Sequence, residues 1–384
     1  MYRVKWSHVS LVFALVLGLA MSGMANAQQL NNSEVPGSVI VFPKYIDGTT
    51  KDGQPKSSFE ISVGCPVRSP GGVCLFPEGF RVKLKAHWVC PSDQSFENKY
   101  ICHETDFDLF TTVYGTISFN PANVGAPAGF PTSPLSPTVG GVQRVPAPPC
   151  ERGYLIVWAV DTTDRPINLN ALIGDAVIYD VNGSASAYNG IPIQAVGASA
   201  IPSALIAGGE TSLPFTGAPG QYARLSNGIQ SSVRFEAGLK EGTAVTTDLT
   251  LLTLDVLSNR SNNPVFVDLD FYNANEFLVS TFTEFICWQQ IYLTDVNGAE
   301  DFINRNLTAA SMGTQKGLVV SGTAIKLPFV DVVDPAVFPT LLGMVTTSVW
   351  PTDGHPYAYS YLMYHNNVYV PTFFVQTLGA TFVP

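Results

Sequence analysis

The chain has 384 residues, a formal net charge of −10, 13% charged residues and 46% apolar ones. An acidic, charge-poor chain lacks the basic surface that draws nucleic acid, so that class of partner is excluded. Val, Thr, Phe and Tyr abound among 28 prolines, a usage that favours strands and turns over long helices. The expected class is all-β, an antiparallel β-sandwich architecture of two domains or one extended sandwich, with at most one or two short helices.

The first residues read as a processing segment. Arg3 and Lys5 precede an apolar run, Val9 to Met21, and Ala25-Asn26-Ala27 is an A-x-A cleavage site. A signal peptide is therefore expected over 1–27, leaving about 357 residues (384 less 27) from Gln28 onward. No later apolar run is long enough for a spanning helix, so no transmembrane anchor is expected after cleavage. Export implies an extracellular, cell-surface or periplasmic setting.

Ser38 to Phe42 reads as a strand stopped by Pro43. Phe59, Ile61 and Val63 then alternate with Ser58, Glu60 and Ser62, a strand with one buried face. The clearest alternation follows: Val82, Leu84, Ala86 and Trp88 against Arg81, Lys83, Lys85 and His87. Beyond Cys102, Glu104, Asp106 and Asp108 oppose Phe107, Leu109 and Val113. A basic-faced and an acidic-faced strand are expected to pair as a hairpin, since opposite charges across strands favour one register.

Pro121 to Pro149 holds eight prolines and one charge, Arg144. It reads as a linker or surface loop between an N-terminal β domain (28–120) and a C-terminal β-sandwich (150–384). Tyr154 to Val160 is an unbroken apolar run that suits a strand covered on both faces. Ala171 to Tyr179 and Ala187 to Ala195 add short strands, and Gly197 to Gly220 carries no regular pattern. From Thr250 to Trp288 the sequence predicts a three-stranded antiparallel meander broken by Ser258 to Pro264 and by Asn273-Ala274-Asn275. Ala299 to Ala310 is the best helix candidate. The tail returns to strands at Leu318 to Val320, Leu341 to Trp350, Tyr357 to His365 and Val368 to Val375.

All six cysteines follow the expected cleavage point, which points to disulfides rather than thiols. Proximity suggests Cys65–Cys74 and Cys90–Cys102 and leaves Cys150–Cys287, one of fifteen pairings. One detail conflicts: Cys90 has the parity of the buried set of its strand and Cys102 that of the exposed set.

PGSVIVFPKY (Pro36 to Tyr45), NNPVFVDLDFYN (Asn262 to Asn273) and Ala171 to Tyr179 resemble segments of exported bacterial proteins of unknown function. The resemblance implies a bacterial envelope or extracellular setting and brings no active site with it.

Candidate sites are few. His87, Cys90, Cys102 and His103 would make a zinc set with reduced thiols, but oxidation to disulfides is the stronger expectation. Asp268, Asp270, Asn273 and Glu276 offer hard oxygen ligands for calcium at a strand end, and Glu104, Asp106 and Asp108 form a second acidic ladder. Either could be no more than a solvated strand face, and no cofactor is expected. Tyr357, Tyr359 and Tyr361 alternate on one strand and suit stacking on sugar rings or an aromatic ladder. No G-x-S-x-G, S-x-x-K, H-E-x-x-H or G-x-x-x-x-G-K motif is present. The expected role is thus a non-catalytic structural or interaction protein of a bacterial envelope or matrix. Partners would be protein, surface polysaccharide or further copies of itself. A glycan-binding module and a carboxylate-dependent hydrolase are the alternatives.

Overall fold

The structure, a computed structural model, describes residues 31, 34–50, 55–92, 102–121, 145–179, 185–197, 205–206, 213–225, 228–233, 244–254, 265–272, 278–292, 318–325, 340–350, 357–362 and 364–365. The expected signal peptide, the Ala299 to Ala310 helix and the Val368 to Val375 strand lie outside these residues. All regular structure among them is β, with antiparallel pairing throughout.

The first nine strands are β1 (Val39–Ile46), β2 (Ser57–Val63), β3 (Arg81–Ser92), β4 (Cys102–Thr112), β5 (Thr116–Phe119), β6 (Arg152–Val160), β7 (Leu172–Tyr179), β8 (Ala185–Asn189) and β9 (Ile191–Ile193). They make a five-stranded sheet in the order β4-β3-β6-β1-β9 and a four-stranded sheet in the order β5-β2-β7-β8. Alternate residues of both sheets meet in one core, with Ile40, Phe42, Leu84, Trp88 and Val157 facing Phe59, Ile61, Ile117, Leu172 and Ala176. Trp88 sits among Tyr45, Phe59, Phe107 and Phe119, at ring-centroid distances of 5.0 to 6.0 Å.

The remaining strands are β10 (Gly228–Val233), β11 (Ala244–Leu252), β12 (Val265–Tyr272), β13 (Leu278–Phe285), β14 (Trp288–Tyr292), β15 (Leu318–Ile325), β16 (Leu342–Trp350), β17 (Tyr357–Leu362) and β18 (Tyr364–His365). They form a second pair of sheets, β13-β12-β15-β10-β18 and β14-β11-β16-β17.

Three expectations need correction. The sheets do not follow the division at 121–149, because β6, which comes after it, lies between β3 and β1, which come before it. Tyr154 to Val160 is buried on both faces, and that requires neighbours from both sides of the proline-rich segment. The end of that segment is packed as well: Val145 is buried and the Pro146 carbonyl accepts a 3.0 Å hydrogen bond from Trp88 Nε1.

The expected meander is split. β12 pairs with β13, but β11 belongs to the other sheet, between β14 and β16. Only Ile286 and Cys287 separate β13 from β14, and Cys287 turns the chain from one sheet to the other with φ at +67°, a conformation non-glycine residues rarely adopt.

Pro43 does not stop β1. It lies where the β1–β6 register shifts, between Phe42 and Tyr45, so its missing N–H breaks no ladder bond there. The shift also reverses the alternation, and Tyr45 joins Ile40 and Phe42 in the core.

Candidate functional site

The face of the five-stranded sheet turned away from β2 carries the polar chemistry of the described residues. Toward β9 this face is apolar and covered. Val39, Val41, Tyr154, Ile156 and Trp158 pack beneath Ala195, Val196, Leu213, Tyr222 and Ala223 and beneath Leu252, Leu254, Trp288 and Leu342. Toward β4 it becomes a charged ladder.

The covered part is a junction between the first nine strands and the rest. Lys44 and Asp248 form an ion pair at 2.8 Å, their side chains 3% and 10% exposed. Lys44 lies in the register shift of β1, and the carbonyl of its neighbour Pro43 accepts a 2.7 Å hydrogen bond from Trp288 Nε1. Arg152 donates to Gln290 Oε1 at 2.9 Å. A disulfide joins Cys102, at the start of β4, to Cys287 at the corner before β14.

The cysteine pairing corrects the sequence expectation in two of three bridges. Cys65–Cys74 forms as expected, with Cα atoms 5.8 Å apart. Cys90 pairs with Cys150 and Cys102 with Cys287, not Cys90 with Cys102 and Cys150 with Cys287. The parity conflict supplies the reason. Cys150 packs against the core shared by the two N-terminal sheets, and Tyr45 of that core lies against both Cys90 and Cys150. Cys102 and Cys287 share the opposite face. Two cysteines on opposite faces of a sheet cannot bridge. No cysteine is free, so the zinc set with His103 is not assembled.

The ladder follows the expected hairpin. β3 pairs with β4 so that Lys85 faces Asp108 and His87 faces Asp106. Lys83 Nζ lies 3.0 Å from Asp108 Oδ2 and also bonds Asp164, and Lys85 Nζ is 3.7 Å from Asp108 Oδ1. Burial alone would lower the Lys83 ammonium, but the bonds and charges of Asp164 and Asp108 outweigh it and raise it. His87 departs from the solvated face its parity suggests. It is 2% exposed, with its ring centroid 4.6 Å from that of Trp158. Its Nδ1 lies 3.1 Å from Glu104 Oε2 and 4.0 Å from Asp106 Oδ1. Sequence spacing could not reveal its enclosure, because Trp158 comes from β6, 71 positions on.

The turn after β6 holds Asp164 in place. Asp161 Oδ1 accepts bonds from Thr163 N at 2.8 Å, Thr163 Oγ1 at 2.8 Å and Arg165 N at 3.0 Å, and Oδ2 accepts one from Arg165 Nε at 2.9 Å. Desolvation pushes the Asp161 carboxyl up, but these bonds win and hold it well below the usual carboxylate range. A lowered folded-state pKa means stability that is present at neutral pH and lost as pH falls through the carboxylate range and below. Asp161→Asn is therefore expected to be less stable than wild type at neutral pH, and the gap is expected to narrow by about pH 3. Denaturant melts at the two pH values check this.

The other sequence candidates are placed as follows. Asp268 and Asp270 lie on β12, between β13 and β15, at the register positions of Phe282 and Ser280. Asn273 and Glu276 lie outside the described residues, so the calcium set is not brought together among them. Tyr357, Tyr359 and Tyr361 occupy alternate positions of β17, the last strand of its sheet, opposite Val349, Thr347 and Val345.

Fold and junction define an all-β, disulfide-bonded protein whose cysteine pairs fit an oxidising compartment. No helix among the described residues is long and apolar enough to cross a membrane. No protein-family model matches the chain, and no curated protein matches it in sequence.

Proposed function

We propose that this chain is an exported, non-catalytic structural or interaction component of a bacterial surface or extracellular matrix. The observation that carries the reading is the junction. A buried ion pair, an indole hydrogen bond, a long-range disulfide and a shared apolar core fix the β14–β11–β16 side against the five-stranded sheet. Such fixing suits a body that transmits position, not one that opens around a substrate. The bacterial setting rests on the resemblance of the Pro36 to Tyr45 and Asn262 to Asn273 segments. Binding of surface glycan is the second reading, favoured by Tyr357, Tyr359 and Tyr361 at alternate positions of β17.

The test uses the purified, oxidised chain with intact bacterial cells, isolated matrix and a glycan array. Saturable retention on cells or matrix is expected, with array binding at background. Array binding that Tyr357→Ala, Tyr359→Ala and Tyr361→Ala together abolish would select the glycan reading instead. Failure to bind any of the three surfaces would sink both.

A further inference from the structure

The geometry points to a divalent transition-metal site on the β3–β4 ladder, made by His87 Nδ1, Glu104 and Asp106. One ligand atom from each of these three residues lies within 4.8 Å of the other two. Around a zinc-sized ion with bonds of about 2.0–2.2 Å, neighbouring ligand atoms sit about 2.8–3.5 Å apart. His87 Nδ1 and Glu104 Oε2 already meet that spacing at 3.1 Å, and Asp106 Oδ1 at 4.0 Å reaches it by a side-chain rotation.

Charge favours the same occupant. Lys83 and Lys85 are both engaged with Asp108, and Lys83 with Asp164 as well. Glu104 and Asp106 instead converge on one imidazole, and two carboxylates so close repel each other until a cation lies between them. Two carboxylates and a neutral imidazole balance a doubly charged ion. The imidazole tips the choice from calcium or magnesium, which prefer oxygen-only shells, toward zinc, manganese, cobalt or nickel.

The site is held and also open. His87 is enclosed against Trp158, whereas the Glu104 and Asp106 side chains are 38% and 47% exposed, which leaves an entry path and room for water ligands. Both strands are pinned close by: Cys90, three residues after His87, is bridged to Cys150, and Cys102, two before Glu104, to Cys287. Both bridges lie at the same end of the hairpin, within three residues of the ligands, so a site there loses little order when the ion binds. His87 Nε2 is buried without a hydrogen-bond partner among the described residues, so only Nδ1 faces ligand chemistry there.

Zinc chloride titrated into the chelator-treated full-length oxidised chain tests the assignment by calorimetry, with the melting temperature followed in parallel. One zinc per chain and a higher melting temperature are expected. The double variant Glu104→Gln/Asp106→Asn alters only half-exposed side chains. It should melt like wild type in chelator and bind zinc at least about tenfold more weakly. In the wild type, zinc should also shift the Trp158 indole N–H resonance, because the His87 ring it would bind lies against that indole. Three results would each overturn the site: no stoichiometric zinc, undiminished affinity in the double variant, or an unmoved Trp158 signal. Calcium chloride that stabilises as strongly through the same carboxylates would overturn the choice of a transition metal.

Discussion

Lys44→Met is expected to lower folding stability by about 3–5 kcal/mol, the usual cost of leaving one member of a buried ion pair without its partner. Methionine keeps most of the aliphatic stem, so the loss isolates the charge left on Asp248, whose side chain is 10% exposed. The double replacement Lys44→Met/Asp248→Leu should recover most of the loss, because two apolar groups of similar size need no desolvated partner. Lys83→Met provides the contrast. Its side chain is 18% exposed and sits on the open ladder, where an ion pair contributes within about 1 kcal/mol. Urea melts of the four proteins check the ordering. A Lys44→Met loss no larger than that of Lys83→Met would show that the junction does not bury its charges.

Removing Cys102–Cys287 is expected to destabilise more than removing either other bridge. The sequence separations are 185, 60 and 9 residues for Cys102–Cys287, Cys90–Cys150 and Cys65–Cys74. Loop-closure entropy alone ranks them at about 5, 4 and 3 kcal/mol. Paired serine substitutions, each melted under oxidising conditions, read the order directly. Peptide mapping of the native protein should give the same three pairs. Recovery of Cys90 with Cys102 would contradict the placement of those residues on opposite faces of the sheet.

Strand identity was legible wherever one face is buried, since alternation then marks the face directly. β2, β3 and β4 show this, and the opposite charges of β3 and β4 were enough to pair them. Partners distant in sequence were not legible. Leu252 alternates with its neighbours in the same way whether its strand pairs with β12 or with β16. Nothing local tells that β11 belongs to the other sheet. The apolar run of β6 signals burial on both faces but cannot name Val196, Tyr222 and Trp288 as part of the cover. The cysteine parity conflict did contain the correct answer, for it already set Cys90 and Cys102 on opposite faces. Proximity in sequence points the other way and is the weaker guide. The enclosure of His87 is hidden from the sequence for a related reason: alternation assigns a side of the sheet, and that side is open at Asp106 but closed at Trp158.

The bridge at the Cys287 corner also bears on how the protein is made. A chain entering an oxidising compartment amino end first presents Cys65, Cys74, Cys90, Cys102 and Cys150 well before Cys287. Cys102 then waits without its native mate for 185 residues of synthesis, while Cys90 stands only 12 positions away. The kinetically favoured early product is the wrong one, and the native set is reached only when a thiolate reopens it by exchange. Yield of the native protein should therefore depend on disulfide isomerase activity, and not merely on an oxidant.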